Sequence, residues 1–464
     1  MPNSRPAGLP APGHFTYGVA TASYQVEGAI GADGRTPSIW DTFTQRPGAI
    51  RDGSDGSVAC DSYHRLDEDL ALVADLGVDH YRFSLAWPRI LPGGTRAAGV
   101  EERGLDYYDR LVDGLLERGV APMPTLYHWD LPQVLEDAGG WLARDTGRHL
   151  AELAEVVHAR LGDRVGMWAT LNEPYCSAYL GYAAGIHAPG RRLGTGAHAA
   201  AHHLLLGHAW AAQALRDAGA DDVGIVLNLA PIWSERPEAD AVADGVDAIR
   251  NRVWLGPLTD GAYDDGLLAI APELTDPALV QDGDLAAIAG SAEWIGINYY
   301  NPERPDLARE GDPTDGVPVY PGVERLVLRP RGPLTDIGWE VDAQGMTQVL
   351  VDTHERTGLP VLVCENGAAY HDTLAEGRVD DAARVDYLRD HVAAVEKARA
   401  AGADVRGYVA WTLLDNFEWA EGYTQTFGIV HVDRSTRART RKASFHWYAE
   451  YLRQRRDARS SEES

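Results

Sequence analysis

Cysteine is nearly absent. Cys60, Cys176 and Cys364 are the only three in 464 residues, and no two form a CxxC pair. That excludes a disulfide framework and suits a reducing compartment, taken here as the cytoplasm. Lysine is scarcer still, limited to Lys397 and Lys442. With 42 Lys and Arg against 69 Asp and Glu, the formal net charge is -27. Polyanions such as nucleic acid or an anionic membrane surface are therefore excluded as partners. No apolar run approaches the roughly 18 residues of a membrane helix. The opening "MPNSRPAGLPAPG" has no apolar h-region, so no signal peptide is expected. There is no HExxH, no Cys/His quartet and no GxxxxGK[ST] loop, so neither a metal nor another cofactor is expected.

What is present is apolar material in a regular order. Eight short apolar or β-branched runs are bounded by turn residues. They are "HFTYGVATAS" from His14, "DHYRFSLAW" from Asp79, "APMPTLYHW" from Ala121, "VGMWATLNE" from Val165, "DVGIVLNLA" from Asp222, "EWIGINYY" from Glu293, "PVLVCENG" from Pro360 and "VRGYVAWTLL" from Val405. Between them lie segments with apolar residues at helical spacing, such as "HRLDEDLALVADLG", which ends on a glycine stop. Eight strand–helix units predict a single α/β domain, a (β/α)8 TIM barrel, over residues 14–453. A flexible segment 1–13 would precede it and a polar tail 454–464 would follow. The Pro-, Gly- and Asp-rich stretch 301–336 reads as a wall of the site rather than spare chain.

The fourth run stops at Glu173 and the seventh at Glu365. Barrel enzymes work at the C-terminal ends of their strands, so these carboxylates would face each other across the mouth. Gln25, Arg82, His128, Asn172, Asn298 and Tyr300 sit at other strand ends, with Trp411, Glu418 and Trp419 at or after the eighth. So many polar groups at buried ends would be costly without a task. Two carboxylates among aromatics and neutral hydrogen-bonding side chains suit glycoside hydrolysis. A metal-dependent sugar isomerase and a catalytically silent sugar-binding barrel are the rivals at this point. Pro174 is expected to hold Glu173 in an extended conformation. His202, His203 and His208 lie on a predicted helix and read as packing residues, as do Cys176 and Cys364.

The motifs "ATASYQVEGA", "SIWDTF", "YRFSLAWPRI", "TLYHWDLPQ", "TLNEP", "GINYY", "ENGAAYHD" and "LLDNFEWAEGY" occur in this order along nearly the whole chain. In them the sequence resembles the family 1 retaining β-glycosidases, the β-glucosidase family. The resemblance implies that Glu173 is the acid/base and Glu365 the nucleophile. It implies that Asn172 binds the sugar 2-hydroxyl, that Gln25, His128, Trp129, Glu418 and Trp419 hold the other hydroxyls, and that Trp411 floors the subsite. Arg82 and Tyr300 would hydrogen-bond Glu365 and keep it anionic, with Asn298 supporting the same cluster. Trp339 would be an aglycone platform, and Phe427 would join the substrate-binding aromatics. The implied partners are small-molecule β-glycosides and oligosaccharides; glucose, galactose and fucose all stay open as the sugar, and so does a homo-oligomer. Transglycosylation would share the covalent intermediate. Tyr17, Thr412 and Thr426 depart from the usual Trp, Ser and Arg of the family, and none of them touches the two carboxylates.

Overall fold

The computed structural model describes residues 7–312 and 318–462. Eight parallel strands form a closed barrel: β1 (Thr16–Ala20), β2 (His80–Ser84), β3 (Ala121–Tyr127), β4 (Trp168–Asn172), β5 (Val223–Asn228), β6 (Trp294–Asn298), β7 (Val361–Asn366) and β8 (Val405–Trp411). Each pairs with its neighbours in the chain, and β8 closes on β1 through Thr16–Gly407 to Ala20–Trp411. All eight predicted runs are strands of this barrel, so the fold is the expected (β/α)8 barrel.

The principal helices follow the strands in turn: α1 (Leu66–Leu76), α2 (Glu102–Leu116), α3 (Asp145–Leu161), α4 (His198–Asp217), α5 (Val253–Asp260), α6 (Ala343–Thr357), α7 (Ala382–Ala400) and α8 (Ala443–Glu462). Gly77 ends α1 at φ +75°, a left-handed turn that glycine takes without cost. Helices on one side and barrel filling on the other bury both faces of every strand, which is why the strands read as apolar runs rather than alternations.

Met123, Met167, Ala169, Val226, Trp294, Leu362 and Cys364 pack as one cluster drawn from or beside β3 to β7. Leu9 packs against it, and its N–H donates to Asp222 Oδ2 at 2.8 Å beside the start of β5. Arg406 also donates to the Pro10 carbonyl at 3.1 Å. The described part of the segment expected to be flexible, residues 7–13, is thus anchored near the N-terminal ends of the strands; residues 1–6 lie outside the described residues. At the other terminus, α8 runs through most of the expected polar tail. Arg453 bridges Glu450 and Asp457 at 2.9 Å each, the i–3 and i+4 spacing that supports an exposed helix. Residues 463–464 lie outside the described residues. Tyr17, one of the departures from the family pattern, faces this helix, its hydroxyl 3.1 Å from that of Tyr451.

The 301–336 stretch folds back over the barrel mouth as a short antiparallel ribbon, Pro305–Leu307 against Leu326–Leu328; residues 313–317 within it lie outside the described residues. Among the described residues, no helix is long and apolar enough to cross a membrane.

Candidate active site

A cavity of about 560 Å³ opens at the C-terminal ends of the strands. His128, Trp129, Glu173, Tyr300, Trp339, Glu365, Trp411, Glu418, Trp419 and Phe427 line it, as the sequence predicts. Gln25, Arg82, Asn172 and Asn298 are buried and hydrogen-bonded to neighbours of the cavity or to its lining side chains.

The two carboxylates are joined by a chain of hydrogen bonds. Arg82 Nη1 donates to Glu365 Oε1 at 2.6 Å, and Nη2 donates to Asn172 Oδ1 at 2.7 Å. Asn298 Nδ2 donates to that same oxygen at 3.0 Å and to Glu173 Oε1 at 2.6 Å. The Tyr300 hydroxyl donates to Glu365 Oε2 at 2.7 Å. Asn298 therefore serves Glu173 directly, rather than the Glu365 side of the cluster.

The donor sets differ in kind. Glu365 receives a guanidinium and a phenol. Glu173 receives an amide and, at Oε2, the Cys176 thiol at 3.1 Å. Cys364 is the packing residue expected, within the strand cluster. Cys176 is not simply packing, because its thiol is a hydrogen-bond donor in the site.

Arg82 and Tyr300 sit where the anionic form of Glu365 needs them, but they do not set its balance alone. Burial pushes the Glu365 carboxyl up to about 7. Arg82 opposes the rise, the Glu173 charge adds to it, and the hydrogen bonds from Tyr300 and Arg82 pull it down. Burial likewise pushes Glu418 up to about 8, with Glu365 and Glu173 adding to the rise. Burial is the main cause in both, and the neighbouring carboxyl groups add to it.

The network also fixes a tautomer. Asn172 Oδ1 accepts twice, so its amide nitrogen faces His128 Nε2 as donor, at 3.0 Å. That nitrogen must accept, which puts the ring hydrogen on Nδ1. Burial, with Arg82 adding, holds the imidazole well below its usual range, so it is neutral. Gln25 Nε2 donates to Asn416 Oδ1 at 3.1 Å and to the Phe417 carbonyl at 2.9 Å. Gln25 Oε1, Glu418 Oε2 and Asn298 Oδ1 are buried without a protein hydrogen-bond partner, as acceptors meant for ligand hydroxyls would be.

Two expectations change. Trp129 Nε1 donates to the Asn172 carbonyl at 2.9 Å, so this N–H is already used and the ring acts as a wall against Trp419, 4.4 Å between centroids. Glu173 is not extended but has φ +44°. Its N–H donates to the Val226 carbonyl at 2.8 Å and its carbonyl accepts from Cys176 at 3.0 Å, a tight turn that outweighs the bias from Pro174. The chain then enters a π-helical turn, Cys176–Ala184, a form common beside functional sites. Trp129 and Trp419 also have positive φ, +74° and +47°.

The aromatic residues split into two groups. His128 stacks near Trp411 and Trp419, with centroids 6.1 and 5.9 Å apart. Trp339 packs with Tyr300 and Phe427 at 5.1 and 5.8 Å on the outer side. Tyr175, Asn228, Arg250, Glu303 and Tyr320 also line the cavity and were not singled out from the sequence. Arg250 lies 4.5 Å over the Tyr175 ring. Asn228 closes β5, the same strand-end position as Asn172 and Asn298, whereas Tyr175, Arg250, Glu303 and Tyr320 stand on connecting segments, where apolar periodicity carries no signal. On α4, His202 bonds Tyr263 and Asp284, His203 bonds the Trp141 carbonyl and His208 bonds Thr170, the packing roles expected.

Known proteins place this architecture. The sequence pattern of glycosyl hydrolase family 1 matches residues 9–457. A bifunctional β-D-glucosidase/β-D-fucosidase of Bifidobacterium breve is 44% identical over 460 residues, covering 95% of this chain and 98% of the relative. A β-glucosidase of an Agrobacterium species is 43% identical over 449 residues, covering 94% of each. The crystal structure of a psychrophilic β-glucosidase from Micrococcus antarcticus superposes with a TM-score of 0.89 at 43% identity, covering 95% of this chain and 96% of that one. A Thermotoga maritima β-glucosidase in complex with glucoimidazole gives 0.89 at 40% identity, covering 96% and 99%. With its closed barrel and the paired carboxylates at its mouth, the chain belongs to glycosyl hydrolase family 1.

Proposed function

We propose that this protein is a retaining β-glucosidase that releases terminal, non-reducing β-D-glucosyl residues from cellobiose-like oligosaccharides and aryl glycosides, with β-fucosides as further substrates. The observation that carries this reading is the pair Glu173 and Glu365 in one cavity, joined through Asn298, Asn172 and Arg82.

The reaction needs Glu365 as the anion, which the Arg82 cation and the Tyr300 phenol favour, and Glu173 as the proton donor. Glu365 attacks the anomeric carbon while Glu173 protonates the departing oxygen, giving a glycosyl-enzyme ester and a free aglycone. Esterification removes the charge of Glu365. Glu173, now a carboxylate, takes a proton from water as that water attacks the anomeric carbon and expels Glu365. Trp411 and Trp419 present flat faces to sugar C–H groups; His128, Gln25, Asn172 and Glu418 bind hydroxyls. Trp339 and Phe427 carry the aglycone.

The unpaired, buried cysteines support a cytoplasmic location. A panel of aryl β-glycosides and cello-oligosaccharides, ranked by kcat/KM, tests the reading. Highest values on β-glucosides are expected; no turnover of any β-glycoside would overturn it.

A further inference from the structure

One of the two lysines is fully buried behind the cavity. Lys442 has no exposed surface and follows directly on the last strand of a short ribbon, Val430–Val432 paired with Arg439–Arg441. Its ammonium donates to Asp372 Oδ2 and, at 2.7 Å, to Asp415 Oδ1. Asp372 lies on the segment after β7, seven residues beyond Glu365. Asp415 lies after β8, three residues before Glu418. Lys442 thus ties together the two segments that carry these carboxylates, yet it does not line the cavity.

The surrounding contacts distinguish the two ends of this tie. Arg384 already holds Asp372 with two nitrogens, at 3.1 and 3.0 Å, and also bonds the Thr426 carbonyl at 2.7 Å. Among the described residues, no arginine bonds the Asp415 carboxylate. Oδ1 accepts from Lys442 and from the Gly428 N–H at 2.9 Å, and Oδ2 has only His431 Nδ1 at 3.4 Å, a contact without hydrogen-bond geometry. Lys442 is therefore the principal anchor of the Asp415 carboxylate. The main chain around Glu418 is held on its other side: Gln25 Nε2 donates to Asn416 Oδ1 and to the Phe417 carbonyl, the Phe417 N–H donates to the Gln25 carbonyl at 3.3 Å, and Arg434 donates to the Asp415 carbonyl at 2.7 Å. The Asp415 side chain is where the same segment meets Lys442. A compact ammonium with three rotatable donors can meet two carboxylates from different segments, where a planar guanidinium is less suited.

We propose that Lys442 is a positioning residue that, through Asp415, holds Glu418 at the depth where it accepts hydrogen bonds from the distal sugar hydroxyls; this rests on the reading of Glu418 given above. A β-xyloside lacks the 6-hydroxymethyl group and depends less on Glu418, which makes it the internal control.

The experiment compares 4-nitrophenyl β-glucoside with 4-nitrophenyl β-xyloside in three variants: Lys442→Met, the double variant Lys442→Met/Asp415→Asn, and Glu418→Ala. The double variant leaves no stranded carboxylate at position 415, and Lys442→Arg is read in the same way if the first two do not fold. In a folded Lys442 variant, kcat/KM on the glucoside should fall about tenfold or more, mainly through KM, as expected for a misplaced hydrogen bond. The loss on the xyloside should be no more than about threefold, the remainder of the site being intact. Equal losses on both substrates, or none, with the glucoside-selective loss still present in Glu418→Ala, would overturn the positioning role alone. If Glu418→Ala itself leaves the glucoside-to-xyloside ratio unchanged, the reading of Glu418 falls and the role of Lys442 falls with it.

Discussion

Arg82 reaches both halves of the catalytic pair, with Nη1 2.6 Å from Glu365 Oε1 and Nη2 2.7 Å from Asn172 Oδ1, which also accepts from the Asn298 amide that holds Glu173. Removing the cation has a signed consequence. The Glu365 carboxyl stands at about 7, and Arg82 is the largest influence lowering it. In Arg82→Met it should rise further, so the acidic limb of kcat/KM against pH moves to higher pH. Tyr300→Phe should move it the same way by less. Activity at pH 6 should fall by about tenfold or more in Arg82→Met, each unit of pKa being about 1.4 kcal/mol. A pH–rate profile of the two variants checks this, and an unmoved limb in both would show that another group governs it.

The same two raised carboxyls make stability depend on pH. Glu365 and Glu418 hold their protons to about 7 and about 8 in the folded chain, against an ordinary 4.5. Between these limits the folded state binds more protons than the unfolded one, so stability falls as pH rises from about 4.5 to about 8. Glu418→Gln removes one such charge. It should stabilise the protein at pH 8 by on the order of 1–3 kcal/mol and change little at pH 4. Denaturant melts at both pH values measure it.

The roles proposed for the pair separate by leaving group. Glu365→Gly should abolish hydrolysis. Glu173→Ala should spare aryl glycosides whose leaving groups need no proton and lose on the order of 10²–10⁴-fold on poor ones. Its second step then lacks a base, so azide should accelerate turnover and give a β-glucosyl azide. Equal slowing of both variants on every substrate, with no azide effect, would refute the assignment.

Stereochemistry offers an independent check. The two carboxyl groups should lie about 5–5.5 Å apart in a crystal structure, too close for an intervening water. Nuclear magnetic resonance of the first product from a β-glucoside should show the β anomer. The α anomer, or a separation of about 6.5–9.5 Å, would point to inversion.

The barrel was legible because its strands are buried on both sides. Runs such as "VLVCEN" have no polar alternation, and a carboxylate closing one of them stands out. Glu173 and Glu365 could therefore be found from pattern alone. What pattern could not give is anything set by a partner distant in sequence. The positive φ of Glu173 depends on the Val226 carbonyl, the loss of the Trp129 N–H depends on the Asn172 carbonyl, and the anchoring of Leu9 depends on Asp222. Arg250 and Glu303 reach the cavity from connecting segments whose course only the fold decides. The donors to Glu365 follow from the sequence resemblance, but the balance between them and burial does not, because it depends on how completely the fold encloses the carboxyl.

The cavity should reject 6-phosphorylated sugars. Glu418 is proposed to accept from the hydroxyls at that end of the sugar, and Glu421 lines the same cavity. A phosphate there would bring nearly two negative charges against these carboxyls in a site of low effective dielectric. Two arginines line the cavity: Arg250 lies over the Tyr175 ring at 4.5 Å and Arg304 is paired with Glu340 at 2.7 Å. Lys397 and Lys442 are the only lysines, Lys442 is committed to Asp372 and Asp415, and no arginine occurs from Asp415 to Val432. Catalytic efficiency on 4-nitrophenyl β-glucoside should exceed that on its 6-phosphate by about 10²-fold or more, the equivalent of one uncompensated charge repulsion of about 3 kcal/mol. Glu418→Gln, which keeps the bulk and removes the charge this carboxyl carries above about pH 8, should narrow the gap most on the alkaline side. A higher kcat/KM for the phosphorylated compound would overturn the assignment of Glu418 as a hydroxyl acceptor, and with it the cellobiose-like substrate class.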